Sequence, residues 1–339
     1  MGIFAFTAAF LICLSLIPLV MWLGPRLGLA DIPGGRRHHH GVISRMGGVA
    51  LFSGFAGSSL LIFQLDQTIT TTTDYHLLRG VMVGAIFVFL FGLADDWLEF
   101  PAWPQYLAQF IAALIAIYFT IFIEFVTLPF FDDAPTQFPR WFVYAFTIFW
   151  VMGMINTVNW LDGLDGLAAG VTFIAALLFA WHAYKLGQEK VYLFPLALAG
   201  TCLGFLLFNF SPAKIFMGSS GSFILGWALA SLSILAPAKV ATTLLVLGVP
   251  ILDVAWLIIR RWRTKGSPAV SGRDHLHFRL LDMGLSQRTI VLGYYLFCLV
   301  FGLLALLISS RVYKLLALLI LGVSALLLMW RVAAKSESE

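Results

Sequence analysis

Four polar side chains recur every three residues in the stretch "NTVNWLDGLDG", which ends an otherwise apolar run. They are Asn156, Asn159, Asp162 and Asp165. Carboxylate and amide oxygens suit Mg²⁺ or Mn²⁺, and Mg²⁺ commonly binds a protein through one or two carboxylates together with phosphates of a substrate. The stretch therefore indicates a site for a divalent cation and for a nucleotide or another diphosphate.

A second pair of carboxylates, Asp95 and Asp96, ends the apolar run "MVGAIFVFLFGLADDWLEF". Negative side chains at the C-terminus of a helix oppose the helix dipole, so we expect a cationic partner for them. The simpler interpretation is that such residues cap and solvate a helix end. Two apolar helices that both end in carboxylates at one depth favour a functional site instead.

The spacing of three residues cannot place all four polar side chains of "NTVNWLDGLDG" on one face of a helix. Each step of three drifts by about 60° around the axis, so Asn156 and Asp165 would lie on opposite faces. Gly163 and Gly166 can end the helix, because glycine readily adopts positive φ. We therefore expect Asn156 and Asn159 to face the site from the helix, and Asp162 and Asp165 to reach it from a turn.

Two basic segments could bind the phosphates of a substrate. "SGRDHLHFRLLDMGLSQR" contains His275, His277 and Arg279, and "DIPGGRRHHHGVISRMGG" contains Arg36 and Arg45. No third ligand with zinc spacing accompanies the two histidines, which favours phosphate contact or proton transfer. The alternative for the arginines is that they only set the orientation in the membrane.

The composition indicates that membrane-spanning helices position these residues. The chain has 339 residues, of which 60% are hydrophobic and 11% charged, with a mean hydropathy of +0.93. Since a membrane helix needs about 20 apolar residues, we predict an all-α polytopic membrane protein in one domain, with ten to eleven transmembrane helices. The eleven predicted spans are 3–24, 46–64, 77–94, 105–123, 140–158, 166–183, 191–208, 220–236, 240–259, 289–309 and 314–331.

The distribution of lysine and arginine predicts the orientation. Most of them lie on one side of the membrane if the N-terminus faces out and the C-terminus faces in. Both pairs of carboxylates then lie at the cytoplasmic face of the inner (plasma) membrane. No basic patch interleaved with aromatic residues argues for a nucleic acid partner. The predicted cytoplasmic loops lie near 25–45, 95–104, 159–166, 209–219 and 260–288.

Six segments in order carry a resemblance that covers nearly the whole chain. The chain resembles the polyprenyl-phosphate N-acetylhexosamine-1-phosphate transferases of glycosyltransferase family 4, with the phospho-MurNAc-pentapeptide translocase as a sister group. The resemblance implies transfer of a sugar 1-phosphate from a UDP-N-acetylhexosamine to undecaprenyl phosphate, with Mg²⁺ as cofactor and release of UMP. The six segments are "DIPGGRRHHHGVISRMGG", "GLADDWLEF", "NTVNWLDGLDGLAAG", "NFSPAKIFMGSSGS", "GVPILDVAWLIIRR" and "HLHFRLLDMGLS".

The resemblance also implies roles for single residues. Asp95 and Asp96 would position the lipid phosphate, Asp165 would lie on the nucleotide side, and His275 would belong to the diphosphate-binding loop. The implied metal ligands are Asn159, Asp162 and Asp96, and the implied catalytic residues are Asp95, Asp96, Asp162, Asp165 and His275. The implied substrate contacts are Asn156, Arg36, Arg45, His277 and Arg279.

The chain departs from the family pattern at two positions. Ser219 occupies a place after "FMG" that is usually acidic, and Gln105 occupies a place that is often lysine. A hydroxyl is a much poorer Mg²⁺ ligand than a carboxylate. Other carboxylates could hold the metal instead, the affinity for metal could be low, or the chain could be a degenerate member without turnover.

A secondary transporter is the alternative from a different class. A transporter should carry polar residues at mid-membrane on broken helices and show repeat symmetry between its halves. The carboxylates of this chain lie at helix ends, and we detect no internal repeat in its sequence. The "RLL" after "HLHF" resembles the GlcNAc-type enzymes, and this resemblance implies UDP-GlcNAc as the donor in preference to a MurNAc-pentapeptide donor. The glycan pathway is left open, as is whether the chain forms a homodimer.

Overall fold

The chain is almost wholly helical in its described part. The computed structural model describes residues 1–31, 41–66, 69, 71–123, 125–126, 136–235, 239–265, 274–308 and 310–336. The helices are α1 (Gly2–Arg26), α2 (Gly47–Leu65), α3 (Thr72–Leu98), α4 (Ala102–Tyr118), α5 (Arg140–Leu161), α6 (Leu167–Lys185), α7 (Leu193–Asn209), α8 (Gly218–Leu235), α9 (Lys239–Val246), α10 (Gly248–Lys265), α11 (Leu276–Asp282), α12 (Gln287–Leu307) and α13 (Arg311–Ser336). Two short antiparallel pairs accompany them, β1 (Ala30–Asp31) with β2 (Ile43–Ser44) and β3 (Phe125–Val126) with β4 (Thr136–Gln137).

The all-α membrane class predicted from composition is confirmed. Seven helices in the described part are long and apolar enough to cross a membrane, namely α1, α2, α3, α5, α6, α8 and α12. Shorter apolar helices are α4, α7 and the segment Val312–Leu327 of α13. The number of spans and the orientation stay predictions.

The ninth predicted span, 240–259, is not one helix. It is divided at Leu247 into α9 and α10. Pro250 explains the division, because its nitrogen carries no hydrogen and its ring clashes with the carbonyl four residues earlier. That carbonyl belongs to Val246, the last residue of α9.

Helix α8 forms the centre of the bundle and packs against α2, α3 and α5. Its largest side chain, Trp227, is fully buried and donates a hydrogen bond of 2.9 Å to the carbonyl of Val81 on α3. Gly84 makes this contact possible, since a Cβ at Gly84 would lie 1.9 Å from Cζ2 of Trp227. Small residues of this kind let membrane helices approach closely.

The helix ends meet at one end of the bundle. Hydrogen bonds join the C-terminal ends of α3, α5 and α7 to the N-terminal ends of α4, α6 and α8. The β1–β2 hairpin lies at the same end, because Ser44 pairs in parallel with Ile215 in the loop before α8. The carboxylates at the ends of α3 and α5 therefore lie at one depth, as the sequence predicts.

We predict that Gly84→Ala destabilises the bundle, because the added methyl group collides with Trp227. Overpacking of a close contact costs roughly 1–3 kcal/mol. Thermal unfolding of the purified protein in detergent measures the effect as a lower midpoint temperature. Gly153→Ala on α5 is the matched control, since a Cβ there meets no described atom within 4 Å. Equal midpoints for the two variants would contradict the role of Gly84.

Candidate functional site

A polar cavity lies where the helix ends meet. It encloses roughly 360 Å³, and its walls come from the β1–β2 hairpin, the end of α5, the loop after α7 and the start of α8. Five residues predicted from the sequence line it, namely Arg45, Asn159, Asp162, Asp165 and Ser219. The other lining residues are Asp31, Gly163, Leu164, Asn209, Phe216, Gly218 and Ser222.

The turn that carries the two aspartates follows the end of α5 at Leu161. Gly166 has φ +81° and precedes the first residue of α6, so the expected left-handed glycine is confirmed there. The amide of Gly166 donates to Oδ1 of Asn209 at 3.0 Å. Oδ2 of Asp165 accepts from the amide of Ala213 at 3.0 Å. The turn is therefore held against α7 and the loop after it.

Gly163 serves the turn differently from the prediction, because its φ is not positive. Its role is close approach. A Cβ at Gly163 would lie 2.4 Å from Nε2 of His277 and 2.8 Å from Cζ of Phe278. A glycine at this position lets α11 pack directly against the backbone of the turn.

Asp162 lies among like charges. Burial raises its pKa well above the usual carboxyl range, and the carboxylates of Asp96 and Asp165 raise it further, against an opposing effect of Arg45. Burial and the like charges therefore both disfavour the deprotonated form of Asp162. A bound cation would relieve both causes, by replacing lost solvation and by offsetting the repulsion.

Asp96 caps helix α8, because its carboxylate accepts hydrogen bonds from the first residues of that helix. Its Oδ1 accepts from the amide of Ser219 at 2.6 Å, and its Oδ2 accepts from the amide and the hydroxyl of Ser220 at 3.0 and 2.6 Å. Nη2 of Arg45 lies 3.9 Å from Oδ1. The cationic partner that the sequence predicted thus includes the positive end of the α8 dipole.

The neighbouring carboxylate, Asp95, turns towards the start of α4. Its Oδ1 accepts from the amide of Phe100 at 3.2 Å and from Nε2 of Gln105 at 3.0 Å. Gln105 therefore supplies a neutral hydrogen bond at the position where the resemblance led us to expect a lysine. Asp95 is buried and does not line the cavity, so its catalytic role stays a prediction.

The two asparagines of the motif have different surroundings. Nδ2 of Asn159 donates to the Ser222 hydroxyl at 2.9 Å, whereas a cation would bind its carbonyl oxygen. Asn156 exchanges two amide hydrogen bonds with Gln109 of α4, at 2.5 and 3.3 Å. Contrary to the expected geometry, Asn156 joins α5 to α4 away from the cavity lining. Its part in substrate binding stays a prediction.

The histidines lie behind the turn and not on the cavity lining. Nδ1 of His275 is 3.0 Å from Oδ2 of Asp253, whose Oδ1 accepts from the amide of Leu276 at 2.9 Å. His277 is fully buried, and no described residue bonds its ring nitrogens. Burial, helped by nearby His275, lowers the pKa of His277 to about 3, so this ring is neutral.

Arg279, another predicted substrate contact, is not on the cavity lining. Nε of Arg279 donates to the carbonyl of Asp274 at 2.8 Å. Arg36 lies outside the described residues. Sequence reasoning also missed three lining residues, Asp31, Asn209 and Ser222. All three lie inside segments that carry the resemblance, and that is the signal by which they could have been found.

The donor set fits Mg²⁺ only in company with a substrate. Among the described residues, no group of three or more His, Cys, Asp or Glu side chains could hold a metal by itself. The cavity instead offers Asp162, Asp165 and Asn159, which are all oxygen donors. Because Mg²⁺ is commonly held by one or two carboxylates and the phosphates of a substrate, this set fits a metal–diphosphate complex.

Comparison with known proteins finds one matching family and several related transferases. The family described as glycosyl transferase family 4 matches residues 78–237. A probable undecaprenyl-phosphate N-acetylglucosaminyl 1-phosphate transferase of Bacillus subtilis is 33% identical over 312 residues, which cover 90% of this chain and 84% of the relative. A decaprenyl-phosphate N-acetylglucosaminephosphotransferase of Mycobacterium tuberculosis is 32% identical, with coverage of 86% and 78%. A phospho-N-acetylmuramoyl-pentapeptide-transferase of Heliobacterium modesticaldum is 36% identical, with coverage of 53% and 59%.

We predict that two carboxylate-to-amide changes differ in their effect on stability. Asp96→Asn turns an amide NH₂ towards the donors of Ser219 and Ser220, and losing such charged hydrogen bonds costs roughly 2–4 kcal/mol. Asp162→Asn replaces a carboxyl group whose charged form is destabilised by burial and by its neighbours, so the stability should be unchanged or higher. Thermal unfolding of both variants near neutral pH measures the difference. A stable Asp96→Asn variant would contradict the capping role.

Proposed function

The chain belongs to glycosyl transferase family 4, and on that premise we propose that it is a polyprenyl-phosphate sugar-1-phosphate transferase. It transfers GlcNAc 1-phosphate, or a related N-acetylhexosamine 1-phosphate, from a UDP-sugar to undecaprenyl phosphate. The products are an undecaprenyl-diphosphate-sugar and UMP, the first membrane step of a cell-envelope glycan. The observation that carries the proposal is the cavity in which Asn159, Asp162 and Asp165 meet at the end of an apolar bundle.

The reaction is an in-line phosphoryl transfer. An oxygen of the lipid phosphate bonds to the β-phosphorus of the UDP-sugar, and the bond from that phosphorus to the bridging oxygen breaks, so that UMP leaves with the electron pair. The lipid phosphate is already largely ionised and needs no base. Positioning and electrostatic stabilisation therefore supply most of the rate.

The residues of the cavity divide this work. Asp162, Asp165 and Asn159 would hold Mg²⁺, which neutralises the diphosphate when bound. Arg45 adds a fixed positive charge on the cavity wall, where Nη1 contacts Oε1 of Glu99 at 3.2 Å. Asp96 contributes by fixing the start of α8, which carries the lining residues Ser219 and Ser222.

A lipid acceptor accounts for the architecture. The polyprenyl tail requires an apolar environment, while the phosphate must reach a polar site at the membrane interface. Apolar helices whose ends enclose one polar cavity meet both needs. On this proposal the N-terminus faces out, the C-terminus faces in, and the cavity opens to the cytoplasmic face of the inner membrane. Dimerisation stays open.

A degenerate, non-catalytic member is the remaining alternative, and Ser219 is its basis. The structure offers an argument against it, since Asp31, Asp162 and Asp165 line the cavity together with Ser219. Carboxylates are thus present without an acidic residue at position 219. A transporter is not favoured, because the polar cavity lies at the ends of helices.

We predict Mg²⁺-dependent transfer of label from UDP-[³H]GlcNAc to undecaprenyl phosphate by the purified protein. Asp162→Asn should lower the rate by about 100-fold or more, since preorganised charge stabilisation is worth that much. Asp74→Asn is the matched control, because Asp74 lies at the start of α3 and pairs with Lys190, away from the cavity. Absence of lipid-phase label with several UDP-sugars would exclude the transferase.

Ser219→Asp tests how the metal site is built. The added carboxylate should lower the Mg²⁺ concentration for half-maximal activity by about tenfold, because carboxylates bind Mg²⁺ far better than hydroxyls. Ser219→Asn, which has a similar shape without the charge, should not. An unchanged Mg²⁺ dependence of Ser219→Asp would show that the other carboxylates already complete the site.

A further inference from the structure

Helix α12, which contributes no residue to the cavity lining, reaches the turn that carries the aspartates. Tyr295 of α12 donates a hydrogen bond of 2.5 Å from its hydroxyl to the carbonyl of Gly166. On its other side, Gly166 is held through its amide by Asn209. The left-handed residue of the turn is therefore held on both sides, from α7 and from α12.

A glycine on α6 leaves room for the ring of Tyr295. Gly170 lies one turn into this helix, and a Cβ at Gly170 would lie 1.9 Å from the Tyr295 hydroxyl oxygen and 2.0 Å from Cζ. Any larger residue would displace the ring. The absence of a side chain at Gly170 is thus a condition for the hydrogen bond to Gly166.

Helix α12 also contacts the loop after α7, which binds the turn through Asp165. Arg288 lies seven residues before Tyr295, on the same face of α12. Its Nε and Nη2 donate to the carbonyl of Ser211 at 3.1 and 2.9 Å. Two residues further on, the amide of Ala213 donates to Asp165. Helix α12 therefore supports Asp165 both from the turn and from the loop.

We propose that Tyr295 is a positioning residue whose hydroxyl, through the carbonyl of Gly166, fixes the orientation of Asp162 and Asp165 in the cavity. The inference rests on the proposed transferase function. Tyr295 does not line the cavity, so it acts only through the turn. Loss of its hydroxyl should affect the steps that depend on the aspartates, namely turnover and cation binding, and not binding of the lipid acceptor.

The adjacent tyrosine provides a matched control. Tyr294 is buried in the same helix, and its hydroxyl has no hydrogen-bond partner among the described residues. Tyr295→Phe and Tyr294→Phe therefore remove the same atom from neighbouring positions, one with a partner and one without. General effects of removing a tyrosine hydroxyl from α12 should appear in both variants.

Kinetics of both variants test the inference. Tyr295→Phe should lower kcat by about tenfold, the equivalent of one hydrogen bond. It should also raise the Mg²⁺ concentration for half-maximal activity several-fold, with the KM for undecaprenyl phosphate unchanged. Tyr294→Phe should leave all three constants within twofold of the wild type. Equal constants for the two variants would overturn the inference while the proposed function stands.

Gly170→Ala provides a second route to the same loss. Its methyl group should displace the Tyr295 ring and lower kcat to a similar extent. The double variant Gly170→Ala/Tyr295→Phe should be little slower than either single variant, because both changes break one interaction. Fully multiplicative losses would overturn the inference.

Hydrogen–deuterium exchange tests the inference without activity. Amides of residues 162–170 should exchange faster in Tyr295→Phe than in the wild type or Tyr294→Phe. Exchange that is equal in all three proteins would overturn the inference. Absence of transfer by the wild-type protein would instead overturn the proposed function, so the two failures are distinguishable.

Discussion

The contact between Asp96 and the start of α8 determines the geometry of the cavity. A carboxylate at the C-terminal end of α3 is unfavourable for its own helix, because it lies beside the negative end of the helix dipole. It becomes favourable against the N-terminus of α8, where Ser219 and Ser220 supply three donors within 3.0 Å. A buried charge requires such complete hydrogen bonding. The two helices are therefore fixed end to end, and the cavity occupies the space beside this junction.

The residues around the cavity divide into those that line it and those that hold its walls. Asp162 faces the cavity, where burial and, after it, the neighbouring carboxylates raise its pKa. Asp96 and Asn209 are buried, and their side-chain oxygens accept hydrogen bonds from backbone amides. Asp96 binds the start of α8, and Asn209 binds the turn. Tyr295 acts at a greater distance, from α12. A site built on helix ends needs these supports, because helix ends carry backbone groups without partners in their own helix. Each support satisfies one such group or fixes the turn beside it.

The sequence predicts most of the fold, because hydropathy alone identifies membrane helices. It predicted the ninth span as one helix, since Pro250 and Gly248 interrupt the backbone without interrupting the apolar run. The predicted geometry, with two asparagines on the helix and two aspartates on the turn, agrees with the cavity lining for Asn159, Asp162 and Asp165 but not for Asn156. Whether Asp95 or Asp96 meets α8 depends on the rotation of α3 and on a partner, Ser219, that is 123 residues further along the chain. Side chains whose partners lie on other helices cannot be assigned from the spacing within one helix.

Compared with the acidic residue that the family pattern has at position 219, Ser219 makes the cavity less negative. The cavity still needs a cation. Ser219 donates its amide to Asp96, so a side chain at this position projects from the first turn of α8 beside a carboxylate that is already buried. An acidic residue here would add repulsion to Asp162, whose pKa is raised by burial and by its neighbours. With serine, Asp31, Asp162 and Asp165 still line the cavity, and Arg45 is the only cation on the lining among the described residues. The described lining therefore keeps more acidic than basic side chains. The cost of leaving the cavity without a cation is smaller than with a further carboxylate, so the substitution should weaken cation binding without abolishing it.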